Sequence, residues 1–404
     1  MTRFLIASCL CAVLSTAACA PMRAPQNIEN ASGAMAYQAQ YRSPAHAERE
    51  ARNQRSIELN LDRCNDQVPA SPAAQATFDP SAGELELLSR GDLLDVVVGD
   101  DQVLTGTYEV ARDGKLRLPH VPAVRAHGRR VEDLEVSLRQ ALVAGGLYSY
   151  SPRVSVRVMD FASARVHVAG AVFQPGPQQI GAVGSDSRDT VRQAALGANT
   201  EERNLSVALR RAGGIRPDAD LSRVRLTRAG RTQEVDLRNS FLGDGFSDPM
   251  LLSGDQIEIP SRGCFQEALM VPNAVTPPGV KVYLSNLTKP ADANALSAIG
   301  KDVREMPWGT RFIQAVVGMN CVGGTQMTNA DRYAVLFSRN PVTGESVVIK
   351  RRIEDLLRRA DRDDLDPYLL PGDAIACYDS AVTNVVDIAK SLTTVAGAGL
   401  LLAL

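Results

Sequence analysis

The chain has 404 residues, long enough for roughly two to four domains with apolar cores of their own. Hydrophobic residues make up 45% and charged residues 22%, an ordinary globular balance that excludes a disordered tail. The net charge is -2, there is no long basic run, and aromatic residues are only 5%, which excludes a protein that neutralises phosphates and stacks bases.

The first segment reads as a targeting signal, residues 1–18. Arg3 supplies a positive start, and Phe4 to Leu14 is an apolar stretch too short to span a membrane. Ser15-Thr16-Ala17-Ala18-Cys19 then looks like a bacterial lipoprotein cleavage box, with Cys19 as the lipid-bearing new N-terminus. Thr16 stands where that box usually has Leu, so a plain secretory signal is the alternative. Diacylglyceryl and N-acyl (palmitate-type) chains together anchor a protein stably, where a single chain is marginal.

Of the seven cysteines, Cys9 and Cys11 leave with the signal. Cys64, Cys264, Cys321 and Cys377 remain beside Cys19, and four thiols in an oxidising compartment allow three pairings. Cys64 with Cys264 and Cys321 with Cys377 is the expected set, because each lies near a domain edge. The alternative is that some are small buried apolar side chains.

Residues 19–84 are polar and weakly patterned, an extended arm with one helix near Ala45 to Leu59. Folded structure is expected from Leu85. Asp92 to Val98 is a strand after the turn Arg90-Gly91, and the Asp113-Gly114 turn between Tyr108 and Leu118 predicts a hairpin. Val131, Leu134, Leu138 and Leu142 have helical spacing, and Gly145-Gly146 ends the helix. Arg153 to Val158 and Arg165 to Val168 alternate as strands.

A second unit opens with Val168 to Gly176 and has a helix ending at Ala212-Gly213-Gly214. Strands follow at Val224 to Thr227 and Thr232 to Leu237, and the unit closes with Gly254-Asp255-Gln256-Ile257-Glu258-Ile259-Pro260. A third unit repeats that order. Its helix, Thr310 to Asn320, ends before Gly323-Gly324, strands lie at Tyr333 to Leu336 and Ser346 to Lys350, and Gly372-Asp373 opens the closing strand. A repeat of roughly a hundred residues is a domain duplication and not a solenoid.

The last segment, 380–404, carries no Pro and no charge after Lys390. Asn384, Asp387, Ser391 and Thr394 form one polar stripe at helical spacing, with Val382, Val385, Val386, Ala389, Leu392 and Ala396 on the other faces. About 24 residues of helix reach roughly 36 Å, enough to cross a bilayer. One such helix alone would put polar groups in lipid; a ring of them turns the stripes inward around water. The alternative is an amphipathic helix packed on its own domain.

These motifs, in this order, resemble a known family. Arg90-Gly91-Asp92, Asp113-Gly114-Lys115-Leu116-Arg117-Leu118-Pro119 and Pro152-Arg153-Val154-Ser155-Val156 look like the polysaccharide-export domain of bacterial outer-membrane export lipoproteins. The units built on Gly170-Ala171-Val172-Phe173-Gln174-Pro175-Gly176, Ala212-Gly213-Gly214 and Gly254-Asp255 are similar to the β-grasp domains that follow it. Two departures stand out: Lys281 to Pro290 replaces the usual opening in the third unit, and Ser185 to Asn204 is an added polar stretch in the second.

The resemblance implies an α+β chain. Residues 85–164 form the export domain, 165–262 and 263–379 two β-grasp-like domains, and 380–404 an amphipathic membrane helix. It also implies a closed ring, often an octamer, anchored at Cys19 in the outer membrane with its bulk in the periplasm. Capsule or exopolysaccharide would pass through a pore lined by Asn384, Asp387, Ser391 and Thr394, handed over by an inner-membrane co-polymerase. No cofactor, metal or nucleic acid is implied, and no catalysis.

The residues alone agree on the last point. His46, His120, His127 and His167 form no pair at ligand spacing. Asp92, Asp255 and Asp373 hold equivalent positions after glycine, which suits turn capping better than catalysis. Two rival readings stay open: a periplasmic lipoprotein that binds or scaffolds glycan without a pore, and a glycan-modifying hydrolase with two carboxylates in a cleft.

Overall fold

A computed structural model of the chain describes residues 86–99, 101–181, 202–242, 246–286, 304–319, 321–322, 332–358 and 365–378. The signal and Cys19, the arm with Cys64, most of the 185–204 stretch, Gly323-Gly324 and the 380–404 segment lie outside the described residues. Among the described residues no helix is long and apolar enough to cross a membrane. These residues fall into two compact units, one ending at Pro278 and one beginning at Gly279.

The first unit starts with a three-stranded sheet. Strand β1 (Leu93–Val98) lies between β2 (Asp101–Glu109) and β5 (Val154–Asp160), antiparallel to both. Alternation sends Leu94, Val96 and Val98 inward and leaves Leu93 and Val97 exposed. Helix α1 (Val131–Ala144) covers the inner face with Leu134, Leu138 and Leu142, four residues apart and all fully buried. It stops at Gly145-Gly146, where the left-handed Gly146 lets its N–H reach the Val143 carbonyl.

One expectation needs correction. The Asp113-Gly114 turn exists, with Gly114 N–H on the Ala111 carbonyl, but β2 and β3 do not pair across it. The two-residue strand β3 (Lys115–Leu116) pairs with β4 (Val124–Arg125), while β2 is taken up by β1. The β2 residues found a longer apolar partner in β1 than the short Lys115-Leu116 segment offers.

A five-stranded sheet completes this unit. Its strands are β6 (Ala164–Gly170), β7 (Gly176–Ile180), β8 (Val224–Arg228), β9 (Arg231–Val235) and β10 (Gln256–Ile259), in the order β7-β6-β10-β8-β9. The central pair β6/β10 is parallel and all other pairs are antiparallel. Helix α2 (Leu205–Arg211) packs its apolar side on the sheet core, and a short helix α3 (Asn239–Leu242) follows β9. Gly170 is left-handed, and a Cβ there would overlap the Ile259 carbonyl, so only glycine lets β6 run this close to β10.

The second unit repeats this plan. Strands β11 (Val280–Asn286), β12 (Arg304–Met306), β13 (Tyr333–Arg339), β14 (Ser346–Arg352) and β15 (Ala374–Tyr378) stand in the order β12-β11-β15-β13-β14. Here too the central pair, β11/β15, is the parallel one. Helix α4 (Phe312–Gly318) occupies the place of α2, burying Phe312, Ala315 and Val316, and α5 (Ile353–Arg358) follows β14.

Candidate functional site at the buried turn aspartates

Buried aspartates recur in three turns of the same form. In each, a left-handed glycine precedes an aspartate: Gly91 at φ 86°, Gly254 at 101° and Gly372 at 90°. The aspartate N–H bonds the carbonyl three residues back, at Ser89, Leu252 and Leu370. Its carboxylate returns to the N–H of the same residue, at 2.6 Å from Ser89, 2.8 Å from Leu252 and 2.9 Å from Leu370. Glycine is required because the third turn residue has positive φ, and aspartate because its short acceptor reaches back to the exposed N–H. Asp92, Asp255 and Asp373 are therefore turn caps that launch β1, β10 and β15.

Each carboxylate keeps a second oxygen, and each turn answers it differently. Asp255 receives Arg228 of β8, with Nε 3.0 Å from the second oxygen and Nη2 2.7 Å from the oxygen that also accepts Leu252 N–H. Asp92 accepts the Ala162 N–H at 2.9 Å and the Arg203 guanidinium, also at 2.9 Å, with both charged side chains fully buried. Burial raises the Asp92 carboxyl above its ordinary range, against the opposing pull of Arg203 and two backbone N–H groups. Asp373 receives the Ser338 hydroxyl of β13 at 2.5 Å, and burial pushes its carboxyl up to about 7.

Arg203 does more than neutralise Asp92. Its Nε and Nη2 lie 3.4 Å from the Leu251 carbonyl and its guanidinium carbon is 5.3 Å from the Phe161 ring. Ser253 N–H donates to Ser89 Oγ, and Met250 joins the core of the first sheet. The joint between the three-stranded and five-stranded sheets is thus a packed seam held by hydrogen bonds and a buried ion pair. Sequence reasoning missed Arg203 because an arginine ending a polar stretch reads as solvated.

A stronger repeat accompanies the turns. Asp248-Pro249-Met250-Leu251-Leu252-Ser253-Gly254-Asp255 and Asp366-Pro367-Tyr368-Leu369-Leu370-Pro371-Gly372-Asp373 share Asp, Pro, Leu, Leu, Gly and Asp at the same places. The first aspartate of each caps a helix remote in sequence: Asp248 accepts Ser206 N–H at 2.8 Å, and Asp366 accepts Ile313 N–H at 2.7 Å. The following Pro carbonyl takes the N–H of Leu205 or Phe312, and Leu251 and Leu369 donate to Arg203 and Thr310. One octapeptide thereby fixes a helix start at one end and a central strand at the other. The Gly-Asp ends of both copies were legible as a repeat in the sequence; the Asp-Pro and Leu that precede them complete the match.

The other candidate residues are dispersed. The structure joins Cys321 and Cys377 in a disulfide with Cα atoms 6.1 Å apart, 56 residues apart in sequence. Cys264 is also disulfide-bonded. His120 has a positive φ, His167 lies on an exposed strand face, and His127 is half-buried with Nδ1 unbonded. Burial, then the nearby Arg90, hold the His127 imidazole below its usual range. Among the described residues no three His, Cys, Asp or Glu side chains gather as a metal site would need.

Residues 81–159, which hold the three-stranded sheet and α1, match the family described as polysaccharide biosynthesis/export protein. The chain is also similar to the EPS I polysaccharide export outer membrane protein EpsA of Ralstonia solanacearum, 28% identical over 207 residues, 49% of this chain and 48% of the relative. The protein of the same description from Ralstonia nicotianae is 27% identical over 207 residues, with the same shares covered. The chain spans about half the length of the curated relatives it matches. With the order of motifs and these relatives in agreement, the chain carries a polysaccharide-export domain at residues 81–159.

Proposed function

We propose that the protein is the outer-membrane component of a capsule or exopolysaccharide export route, acting as a conduit without catalysis. The observation that carries this is the match of residues 81–159 to the export family, in a domain seamed to a five-stranded sheet by a buried ion pair. Family relatives named as polysaccharide export outer membrane proteins support the location.

The finer reading runs as follows. Cys19 carries the lipid anchor, and the two five-stranded units are β-grasp-like, supported by the shared strand order and by the helix that, among the described residues, stands between the second and third strands of each. The protein forms a ring, as an octamer, with its bulk in the periplasm. Segment 380–404 crosses the outer membrane with Asn384, Asp387, Ser391 and Thr394 toward the water-filled lumen. A hydrated glycan needs only a wide polar path, and an inner-membrane co-polymerase delivers it. No step calls for a nucleophile or a metal.

The test is an epitope tag after Leu404 in a polysaccharide-secreting strain that carries this gene, with the gene deletion beside it. Antibody labelling of intact cells is expected. Labelling only after permeabilisation, with secretion intact, would replace the pore by a periplasmic glycan-binding or scaffolding lipoprotein. Unchanged secretion after gene deletion would remove the export reading altogether.

A further inference from the structure

The two five-stranded sheets have the same topology, so their outward faces can be compared position by position through the strand register. In the first unit one register row crosses the sheet as His167 of β6, Gln256 of β10, Thr227 of β8 and Thr232 of β9. The row is polar throughout, as expected for a sheet with one solvated face. Thr227 and Thr232 even hydrogen-bond each other at 2.7 Å.

The equivalent row in the second unit is Tyr283 of β11, Ala374 of β15, Phe337 of β13 and Val348 of β14. Tyr283 is 56% exposed and Phe337 39% exposed, while Val348 at the end of the row is buried and clusters with the buried Val335 and with Tyr333 on the same face. The two aromatic side chains stand two strand spacings apart, about 10 Å, with the small Ala374 between them as a floor. Isolated exposed apolar residues need no explanation. Two aromatics flanking an alanine in one row do, because the sister sheet shows that the topology accepts polar groups at every one of these positions.

The border of the row is cationic. Lys281 lies two residues before Tyr283 on β11, and Arg339 two residues after Phe337 on β13; both are exposed. Lys350 and Arg352 share the face on β14, with Lys350 Nζ 4.1 Å from the Tyr333 ring centroid. Among the described strand residues the carboxylate on the same face is Glu305, opposite Lys281. A flat aromatic surface rimmed by positive charge suits a ligand with broad C–H faces and negative groups at its edges. A pyranose ring bearing a carboxylate has both: its C–H face packs on the aromatic π-surface and its carboxylate meets Lys or Arg.

We propose that this outward face is a glycan-contact surface, on which Tyr283 and Phe337 seat pyranose rings of an anionic polysaccharide across Ala374, with Lys281 and Arg339 meeting its carboxylates. The proposal rests on the export reading and names the chemical class of the cargo. The row grips weakly and without commitment to sequence, which suits a chain that has to move on. The polar row of the other sheet offers no such hold.

The test uses the full-length protein in detergent and two probes of equal length, hexagalacturonate and the neutral cellohexaose, titrated by calorimetry. The variant carries Tyr283→His with Phe337→Thr, which installs the residues of the sister row and so keeps a tolerated sheet surface; Tyr283→Phe is the conservative control. Hexagalacturonate is expected to bind the wild type, to lose about tenfold or more in affinity in the double variant, and to keep its affinity in Tyr283→Phe. Cellohexaose is expected to bind more weakly and without the salt dependence of the anionic probe. Equal affinity of wild type and double variant overturns the proposal, as does absence of hexagalacturonate binding. Loss of oligomerisation in the double variant with unchanged affinity assigns the face to a second copy of the chain and also overturns it. These outcomes leave the export reading standing so long as gene deletion abolishes secretion, so the two failures are distinguishable.

Discussion

The most demanding residue in the described structure is Arg203. A fully buried guanidinium is tolerated only when its charge is answered, and Asp92 answers it from 111 residues away. Replacing Arg203 by Met leaves the Asp92 carboxyl buried without its counter-charge, a loss of about 3–5 kcal/mol. Adding Asp92→Asn is expected to restore much of that, because the neutral side chain no longer needs a cation. The denaturant midpoints of the two single variants and the double variant form the cycle that checks this; additive losses would mean that the pair is not a coupled unit.

Asp373 poses the opposite problem at the same turn position. In the first unit Arg228 faces Asp255, while in the second unit the register puts Ser338 where Arg228 stands. Among the described residues the groups bonded to the Asp373 carboxylate are neutral, the Leu370 N–H and the Ser338 hydroxyl. Its folded pKa is pushed up to about 7, while an unfolded aspartate titrates near ~3.9. Between those values the folded state holds the proton that the unfolded state has released. The stabilising contribution is therefore complete below about pH 4, falls as pH rises to about 7, and is lost above that. The span corresponds to at most about 4 kcal/mol. Thermal unfolding of the wild type from pH 5 to pH 8 is expected to show the decline, and Asp373→Asn, which keeps one acceptor for Leu370 and one donor for Ser338, is expected to flatten it. A parallel pH slope in both proteins would show that another group is responsible.

At the scale of elements, local pattern and remote capping divide the work. The helix α1 follows from its own sequence: three leucines four residues apart and two closing glycines are local facts. Helices α2 and α4 are too short to stand on propensity, and each has its first turn fixed by a carboxylate from far along the chain. Asp248 also bonds Ser206 Oγ, at 2.6 Å. Removing this carboxylate in Asp248→Ala is expected to cost about 1–2 kcal/mol, the range of a lost helix cap. Amide hydrogen exchange checks it: the amides of Ser206 and Val207 should lose protection, while those of α1 keep theirs. Equal loss in both helices would point to global destabilisation and not to a cap. The hairpin expected at Asp113-Gly114 fails on the same distinction. The dipeptide specifies a turn, and the turn forms; which strands pair beyond it depends on the partners available elsewhere.

At the scale of the whole molecule, a duplicated five-stranded plan follows one export domain, and the copies have diverged where they meet solvent. The inward faces stay mainly apolar in both because the core of each depends on them. The outward rows are free to change, and they have become His-Gln-Thr-Thr in one copy and Tyr-Ala-Phe-Val in the other. The Gly-Asp closures made the duplication legible before any coordinates, and Asp92, Asp255 and Asp373 were recognisable as turn residues because a cap bonds within three residues of itself. Arg203, Arg228 and Ser338 were not recognisable, since each meets its aspartate only after the strands have assembled.

By itself, the amino-acid sequence determined the periodic elements, the glycine-dependent turns, the repeat and the family, all of which reside in short-range order. The tertiary structure alone decided which counter-charge each buried aspartate receives, that β3 pairs with β4, and that an aromatic row stands where its sister is polar; it joins Cys321 to Cys377 as the cysteine positions suggest. Those depend on contacts between separate segments, up to more than a hundred residues apart, and spacing along a chain carries no information about which segments burial will bring together.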